Sequence, residues 1–244
     1  MATVILLRHG RSSSNTAGTL AGRSPGVELD DKGREQADAV VARLAPLPLV
    51  EIVTSPQERC QQTVEPLAAA RGMDPCVDPA LAEVDYGDWT GLEIKTLAKR
   101  PLWKVVQLHP SAAVFPGGEG LAAVQARAVA AIRGHGERLA AEHGPFAIWV
   151  ACTHGDVIKA VLADALGMHL DAFQRIVVEP GSISVVAYTE TRPFVARVND
   201  VGGDLTALVP PKPRRGRRRK TGETASERKR KAPTSDAVVG GSTN

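Results

Sequence analysis

Three short stretches of the chain set cationic or nucleophilic side chains beside glycine or proline. Arg8-His9-Gly10 follows one apolar run, Thr54-Ser55-Pro56 precedes Arg59, and Thr153-His154-Gly155 follows another apolar run. Imidazole can attack, accept a proton or donate one, while guanidinium keeps its charge and presents a planar fork of donors. Two arginines and two histidines brought together, with helix N-termini beside them, form a site for a dianion such as phosphate. Gly10 and Gly155 permit close approach of the backbone to such a ligand. Each signal alone is weak, because an isolated Arg-His-Gly arises by chance and a lone histidine is more often structural than catalytic. Three of them in order, each at the end of an apolar run, are harder to reach by accident.

These residues meet only if the runs before them are strands of one sheet. Thr3–Leu7, Glu51–Thr54 and Phe146–Cys152 are short, β-prone and apolar, and Ser182–Tyr188 and Pro193–Val198 pattern as a late hairpin. Helical spacing occupies Leu29–Leu44, with Asp30 and Asp31 as capping candidates, then Glu119–Glu142, and Asp156–Leu166 ended by Gly167. Pro56 is placed to open a helix towards Ala70, and Pro66 predicts a kink or an early end within it. Strand–helix alternation of this kind predicts an α/β protein: a three-layer α/β/α sandwich with a mostly parallel central sheet. Strand carboxyl ends in such a sheet face one crevice, where ligands bind.

Composition narrows the class. The 244 residues are 43% apolar and 23% charged, which excludes collagen, coiled coil and wholesale disorder. No apolar run approaches the roughly 20 residues of a membrane helix, and MATVILLRHG lacks the basic start of a secretory signal. Three irregularly spaced cysteines, Cys60, Cys76 and Cys152, suit a reducing compartment, so a cytoplasmic protein is expected. The net charge of +3 divides unevenly: residues 210–244 hold 11 Lys/Arg against 3 Asp/Glu, a balance of +8 that leaves −5 on the rest. A catalytic domain over 1–207 and a basic, disordered tail over 208–244 are expected. That tail is either a solvated extension or a weak polyanion-binding arm, and it has no aromatic residue for base stacking.

The ordered set LLRHGRSSSN (Leu6–Asn15), LDDKGREQA (Leu29–Ala37), TSPQERCQQT (Thr54–Thr63), LAEVDYGDWTG (Leu81–Gly91), FPGGEG (Phe115–Gly120) and CTHGDVI (Cys152–Ile158) resembles the histidine phosphatase superfamily. Its members include cofactor-dependent phosphoglycerate mutases and many phosphatases, and the resemblance covers roughly residues 2–200. It implies a phosphoglycerate mutase-like fold and His9 as the nucleophile that takes the phosphoryl group. Arg8 and Arg59 would clamp phosphate oxygens, with His154 as a third cationic or hydrogen-bonding partner. Asn15, Gly22 and Gly155 would line the substrate site, and Glu83 would be the general acid/base, with Asp85 and Asp88 as nearby competitors. No metal or other cofactor is implied, because the cations are built into the chain.

Some positions depart from the family pattern. Arg11 stands where many relatives have glutamate, Ser14 where an aromatic is common, Gly120 where serine is usual, and the segment from Gly22 has Glu28 in place of a proline. All lie where substrate selection could change. A mutase needs an enclosing insertion to keep water from its phosphoenzyme, yet only 24 residues separate Gly91 from Pro116, with no paired arginines. Lys95, Lys99, Arg100 and Trp103 there form either a pocket lip or a solvated helix face with one apolar anchor. A phosphomonoester hydrolase acting on a small phosphorylated substrate is therefore favoured. A bisphosphoglycerate-dependent phosphomutase and a catalytically weak phospho-ligand binder are the alternatives, and oligomer formation stays open. Ser12, Ser13 and Ser14 either supply a loop hydroxyl or, as is more often expected, are solvated loop residues, and His109, His135, His143 and His169 are expected as surface or packing residues. Cys60 and Cys152 read as thiol-sensitive neighbours of the site or as inert packing.

Overall fold

The strand Thr3–Arg8 (β1) is apolar on both faces: Val4 and Leu6 enter one buried cluster, Ile5 and Leu7 the other. That is the pattern of a strand covered on both sides. In the computed structural model, which describes residues 2–203, β1 is followed by helix α1 (Ser13–Ala17), α2 (Asp31–Leu44), β2 (Leu49–Thr54), α3 (Glu58–Arg71) and β3 (Cys76–Val77). Then come α4 (Ile94–Leu97), α5 (Pro101–Leu108), α6 (Leu121–His143), β4 (Ile148–Thr153), α7 (Gly155–Ala165), β5 (Ile183–Tyr188) and β6 (Pro193–Asp200). The predicted boundary at residue 207 and the basic segment 208–244 lie outside the described residues. Among the described residues no helix is long and apolar enough to cross a membrane.

The strands form one six-stranded sheet in the order β3-β2-β4-β1-β5-β6. Pairings among β1, β2, β3 and β4 are parallel, and β5 and β6 add an antiparallel edge. Helices α2 and α3 cover one face through Val40, Leu44, Val64 and Leu67, while α6 and α7 cover the other through Val124, Ala128, Val157 and Val161. The α/β class and the three layers are as the residue pattern predicts. What this arrangement does for the site lies in the register: Arg8 pairs with Thr153, and Thr54 with Cys152. The carboxyl ends of β1, β2 and β4 therefore stop at one level, side by side.

Element boundaries differ from the sequence reading in instructive ways. Helix α3 starts at Glu58 and not at Pro56, because Ser55 still donates its N–H to the Cys152 carbonyl, so the chain stays extended through Gln57. Pro66 does not end the helix, which runs on to Arg71, since buried Val64, Leu67 and Ala68 on both sides of it hold the helix to the core. Helix α6 starts at Leu121, leaving Glu119 in a loop where its carboxylate is used otherwise. Phe146 is 89% exposed and lies outside β4; Ala147 closes a turn onto the Gly144 carbonyl before the strand begins.

Candidate active site

The level strand ends bring Arg8, His9, Ser55, Thr153 and His154 together, and the first turn of α3 adds Arg59. All six are buried. The backbone continues the sheet for one residue beyond the strands, with His9 N–H donating to the Thr153 carbonyl at 3.0 Å. Helices α3 and α7 begin here, with Gln57 and His154 as their N-caps, so two helix N-termini flank the cluster.

Hydrogen bonds settle the state of both imidazoles. His9 Nδ1 lies 2.7 Å from the Gly10 carbonyl, which can only accept, so Nδ1 carries the proton and Nε2 carries the lone pair. Arg59 Nε donates towards that lone pair at 3.4 Å. Arg59 Nη2 also donates to His154 Nδ1 at 3.1 Å and to the Gly22 carbonyl at 2.9 Å. His154 Nδ1 is therefore an acceptor, and its Nε2–H faces Ser55 Oγ at 2.7 Å and Gln57 Oε1 at 3.0 Å. Arg59 Nη1 is buried and meets no partner among the described residues. A buried guanidinium N–H without an acceptor is costly, by roughly 1–3 kcal/mol or more, and an anionic oxygen would remove that cost. Arg8 Nη1 is anchored on the Val178 carbonyl at 2.7 Å.

The same environment moves the ionisable groups in opposite directions. Burial, then the charges of Arg59 and Arg8, holds His9 well below the usual imidazole range; burial and Arg59 do the same to His154. Burial, reinforced by the negative charge of Asp156, pushes the Glu83 carboxyl up to about 7. Burial lowers even the Arg8 guanidinium, to about 10. Glu83 Oε1 accepts from the Val84 N–H at 2.9 Å, and Oε2 lies 3.7 Å from His154 Nδ1. A neutral imidazole and a carboxyl that gains or loses its proton near neutrality thus stand in one buried cup.

The family model of the histidine phosphatase superfamily (branch 1) matches residues 4–201 of this chain. The chain belongs to that superfamily. Phosphoserine phosphatase 1 of Hydrogenobacter thermophilus is 26% identical over 202 residues, covering 82% of this chain and 92% of that protein. A probable phosphoglycerate mutase GpmB of Proteus mirabilis is 30% identical over 214 residues, covering 86% and 96%. Among solved structures, Bacillus stearothermophilus YhfR superposes with a TM-score of 0.75 at 25% identity, over 82% of this chain and 98% of that one. The mycobacterial glucosyl-3-phosphoglycerate phosphatase Rv2419c gives 0.72 at 23% identity over 81% and 98%, a likeness of fold. The relatives of this superfamily member thus carry both phosphatase and mutase names.

Of the residues singled out in the sequence, Arg8, His9, Arg59, Glu83, His154 and Gly155 are brought together. Gly22 supplies its carbonyl to Arg59, which ties that loop to the guanidinium. Asn15 spends its side-chain oxygen on the N–H and hydroxyl of Ser12, within the cap of α1. Ser12 itself is buried and caps α1, unlike the solvated serine expected. Arg11 is ion-paired to Asp30 at 2.6 Å. Asp85 accepts from the Gly87 N–H. Lys95 on α4, and Lys99 and Arg100 in the turn after it, are exposed, and Trp103 stacks on Trp89.

Several supports were not legible in the sequence. Gln57 Oε1 collects donors from Ser55, His154 and the Glu83 backbone. Arg23 and Arg127 both donate to the Glu83 carbonyl, at 2.9 and 3.2 Å, and both bind Glu119. Asp156 is buried beside the site and accepts from the Tyr86 hydroxyl. The motif match covers Gln57, Glu119 and Asp156 as letters, but no spacing rule points from Arg127 to Glu83.

Proposed function

We propose that this protein is a phosphomonoester hydrolase that works through a phosphohistidine on His9, with Glu83 as general acid and then general base. The observation that supports this best is the tautomer of His9: its Nδ1 proton is held by the Gly10 carbonyl, which leaves Nε2 as a neutral nucleophile among cations. A phosphate dianion fits beside it. The unpartnered Arg59 Nη1 and the two helix N-termini offer donors to its oxygens, and Arg8 adds fixed charge. An arriving dianion also favours protonation of His154, whose Nδ1 then gives up the bond it accepts from Arg59 Nη2 and donates to the ligand instead.

In the first step the Nε2 lone pair of His9 attacks phosphorus, the ester P–O bond breaks, and the Glu83 carboxyl protonates the departing oxygen. In the second, the Glu83 carboxylate takes a proton from water as its oxygen attacks phosphorus. The P–N bond then breaks, releasing inorganic phosphate and restoring neutral His9. The fixed cations supply the charge stabilisation these steps require. Hydrolysis is favoured over phosphoryl return because the segment between Gly91 and Pro116 is short, and its charged residues Lys95, Lys99 and Arg100 face solvent. The substrate class is a small phosphorylated molecule, and the chain works without an added cofactor.

Release of inorganic phosphate from a panel of phosphomonoesters, ranked by kcat/KM, tests the reading alongside isomerisation of 3-phosphoglycerate with added bisphosphate. Hydrolysis by the parent protein and none by His9→Ala is the expected result. Bisphosphate-stimulated isomerisation faster than hydrolysis would establish the mutase alternative. Neither activity, with phosphorylated ligands still bound, would establish the binding-protein alternative.

A further inference from the structure

Asp156 is a fully buried carboxylate in the first turn of α7, two residues beyond His154, and the reaction as derived above makes no use of it. Its Oδ2 accepts from the Tyr86 hydroxyl at 2.9 Å, and its Oδ1 lies 3.4 Å from the ammonium of buried Lys159. Lys159 also donates to Gln174 Oε1 at 3.1 Å and sits over the Phe173 ring. Tyr86 belongs to the Glu83 loop. Its ring packs edge-on against Phe115, and a Cβ added at Gly22 would lie tightly against it at 3.2 Å and against Thr90 Oγ1 at 3.0 Å. One hydroxyl–carboxylate bond therefore joins the loop carrying Glu83 to the helix start carrying His154, with the Gly22 loop pressed against the same tyrosine.

Burying such a pair has a cost. A carboxylate and an ammonium withdrawn from water lose hydration that their mutual attraction only partly returns, so an apolar pair of the same size would serve stability as well. What Asp156 adds is a fixed point for the Tyr86 hydroxyl and, as the anionic member of the pair, a charge that pushes the Glu83 carboxyl up. Resting on the reading of Glu83 as that acid/base, we propose that Asp156 is a positioning residue. Through the Tyr86 hydroxyl it locks the Glu83 loop to the start of α7, and its charge acts on the proton transfer that Glu83 performs.

The groups facing Glu83 frame the test. Arg8 comes from β1, Arg59 from α3, His154 and Asp156 from the β4–α7 junction, Lys159 from the next turn of α7, and Tyr86 from its own loop. Arg23 and Arg127 hold its carbonyl. The cations favour the ionised carboxyl, and Asp156 opposes them. As general acid Glu83 must be protonated, so the rate of His9 phosphorylation falls as pH rises through the Glu83 titration. Removing the opposing charge moves that fall to lower pH.

The measurement is single-turnover phosphorylation across pH, with an alkyl and a p-nitrophenyl phosphate, in the parent, Asp156→Asn and Tyr86→Phe. For Asp156→Asn the alkaline limb should move down by roughly half to one pH unit. The alkyl ester should lose about ten-fold more than the aryl ester, whose leaving group needs little protonation. Tyr86→Phe keeps the charge and loses only the lock. It should lower the rate about ten-fold on the alkyl ester, leave KM nearly unchanged and leave the limb in place. An unmoved limb in Asp156→Asn, or equal losses on both esters, would overturn the proposal. If Asp156→Asn does not fold, an unchanged alkyl-ester rate in Tyr86→Phe overturns it equally. Absence of any phosphoenzyme in the parent would instead overturn the reading of the site itself.

Discussion

The site has a cationic half and a carboxylate half, built by opposite means. Arg8, His9 and His154 sit on or directly beyond the carboxyl ends of β1 and β4, where the sheet register aligns them, and Arg59 lies in the first turn of α3, which begins just past the end of β2. Glu83 stands on an irregular segment between two 3-10 turns and owes its place to side chains from elsewhere: Gln57, Arg23, Arg127 and, through Tyr86, Asp156. Burial acts on both halves with opposite outcome. It disfavours charge, so it keeps the imidazoles neutral and able to attack while keeping the carboxyl protonated and able to donate. One buried cup thus prepares a base and an acid together.

If the halves differ in this way, mutations should separate them. His9→Ala should reduce kcat/KM for any phosphomonoester by at least about 10³-fold, because no other group in the cup replaces the nucleophile. Glu83→Gln should cost about 10²–10³-fold in kcat on an alkyl phosphate but only about ten-fold on p-nitrophenyl phosphate. Arg59→Lys keeps the charge and loses the fork that holds His154 and Gly22 while offering Nη1 to a ligand, so about 10²-fold in kcat/KM on both esters is expected. Arg127→Ala touches only the support of the carboxylate half. About a ten-fold loss in kcat with KM nearly unchanged would confirm that this half depends on its braces.

Stability should show the contrast in its pH dependence. His9 and His154 are neutral in the fold but take up protons when unfolded below about 6.5, so their contribution falls as pH drops below that value. Glu83 has its folded value raised from 4.5 to about 7, so its contribution is full below 4.5 and is lost as pH rises towards 7. Removing that opposing slope in Glu83→Gln should make stability climb more steeply with pH across this window, by an amount on the order of a few kcal/mol. Urea midpoints of both proteins between pH 5 and 7.5 check this.

The cationic half was legible because each of its residues follows a recognisable strand, and a parallel sheet leaves strand ends nowhere to go but one crevice. The braces of Glu83 were not. Arg127 stands 44 residues from the carbonyl it binds, on a helix whose sequence shows only alanine-rich amphipathicity. The early end that Pro66 allowed for does not occur, for the related reason that a local rule about proline yields to a well-packed helix face on either side. Phe146 misled because an apolar side chain beside Gly144-Pro145 belongs to the turn and not to the strand after it.

The central claim is that His9 Nε2, neutral and deprotonated, is the atom that receives the phosphoryl group. Rapid acid-free quench of the protein with a turning-over phosphomonoester, followed by 31P NMR and peptide mapping, tests it most directly. A base-stable, acid-labile phosphoryl group on Nε2 of His9, formed and lost at the rate of turnover, is the predicted result. Phosphate release with no such adduct, or an adduct on another residue, would contradict it.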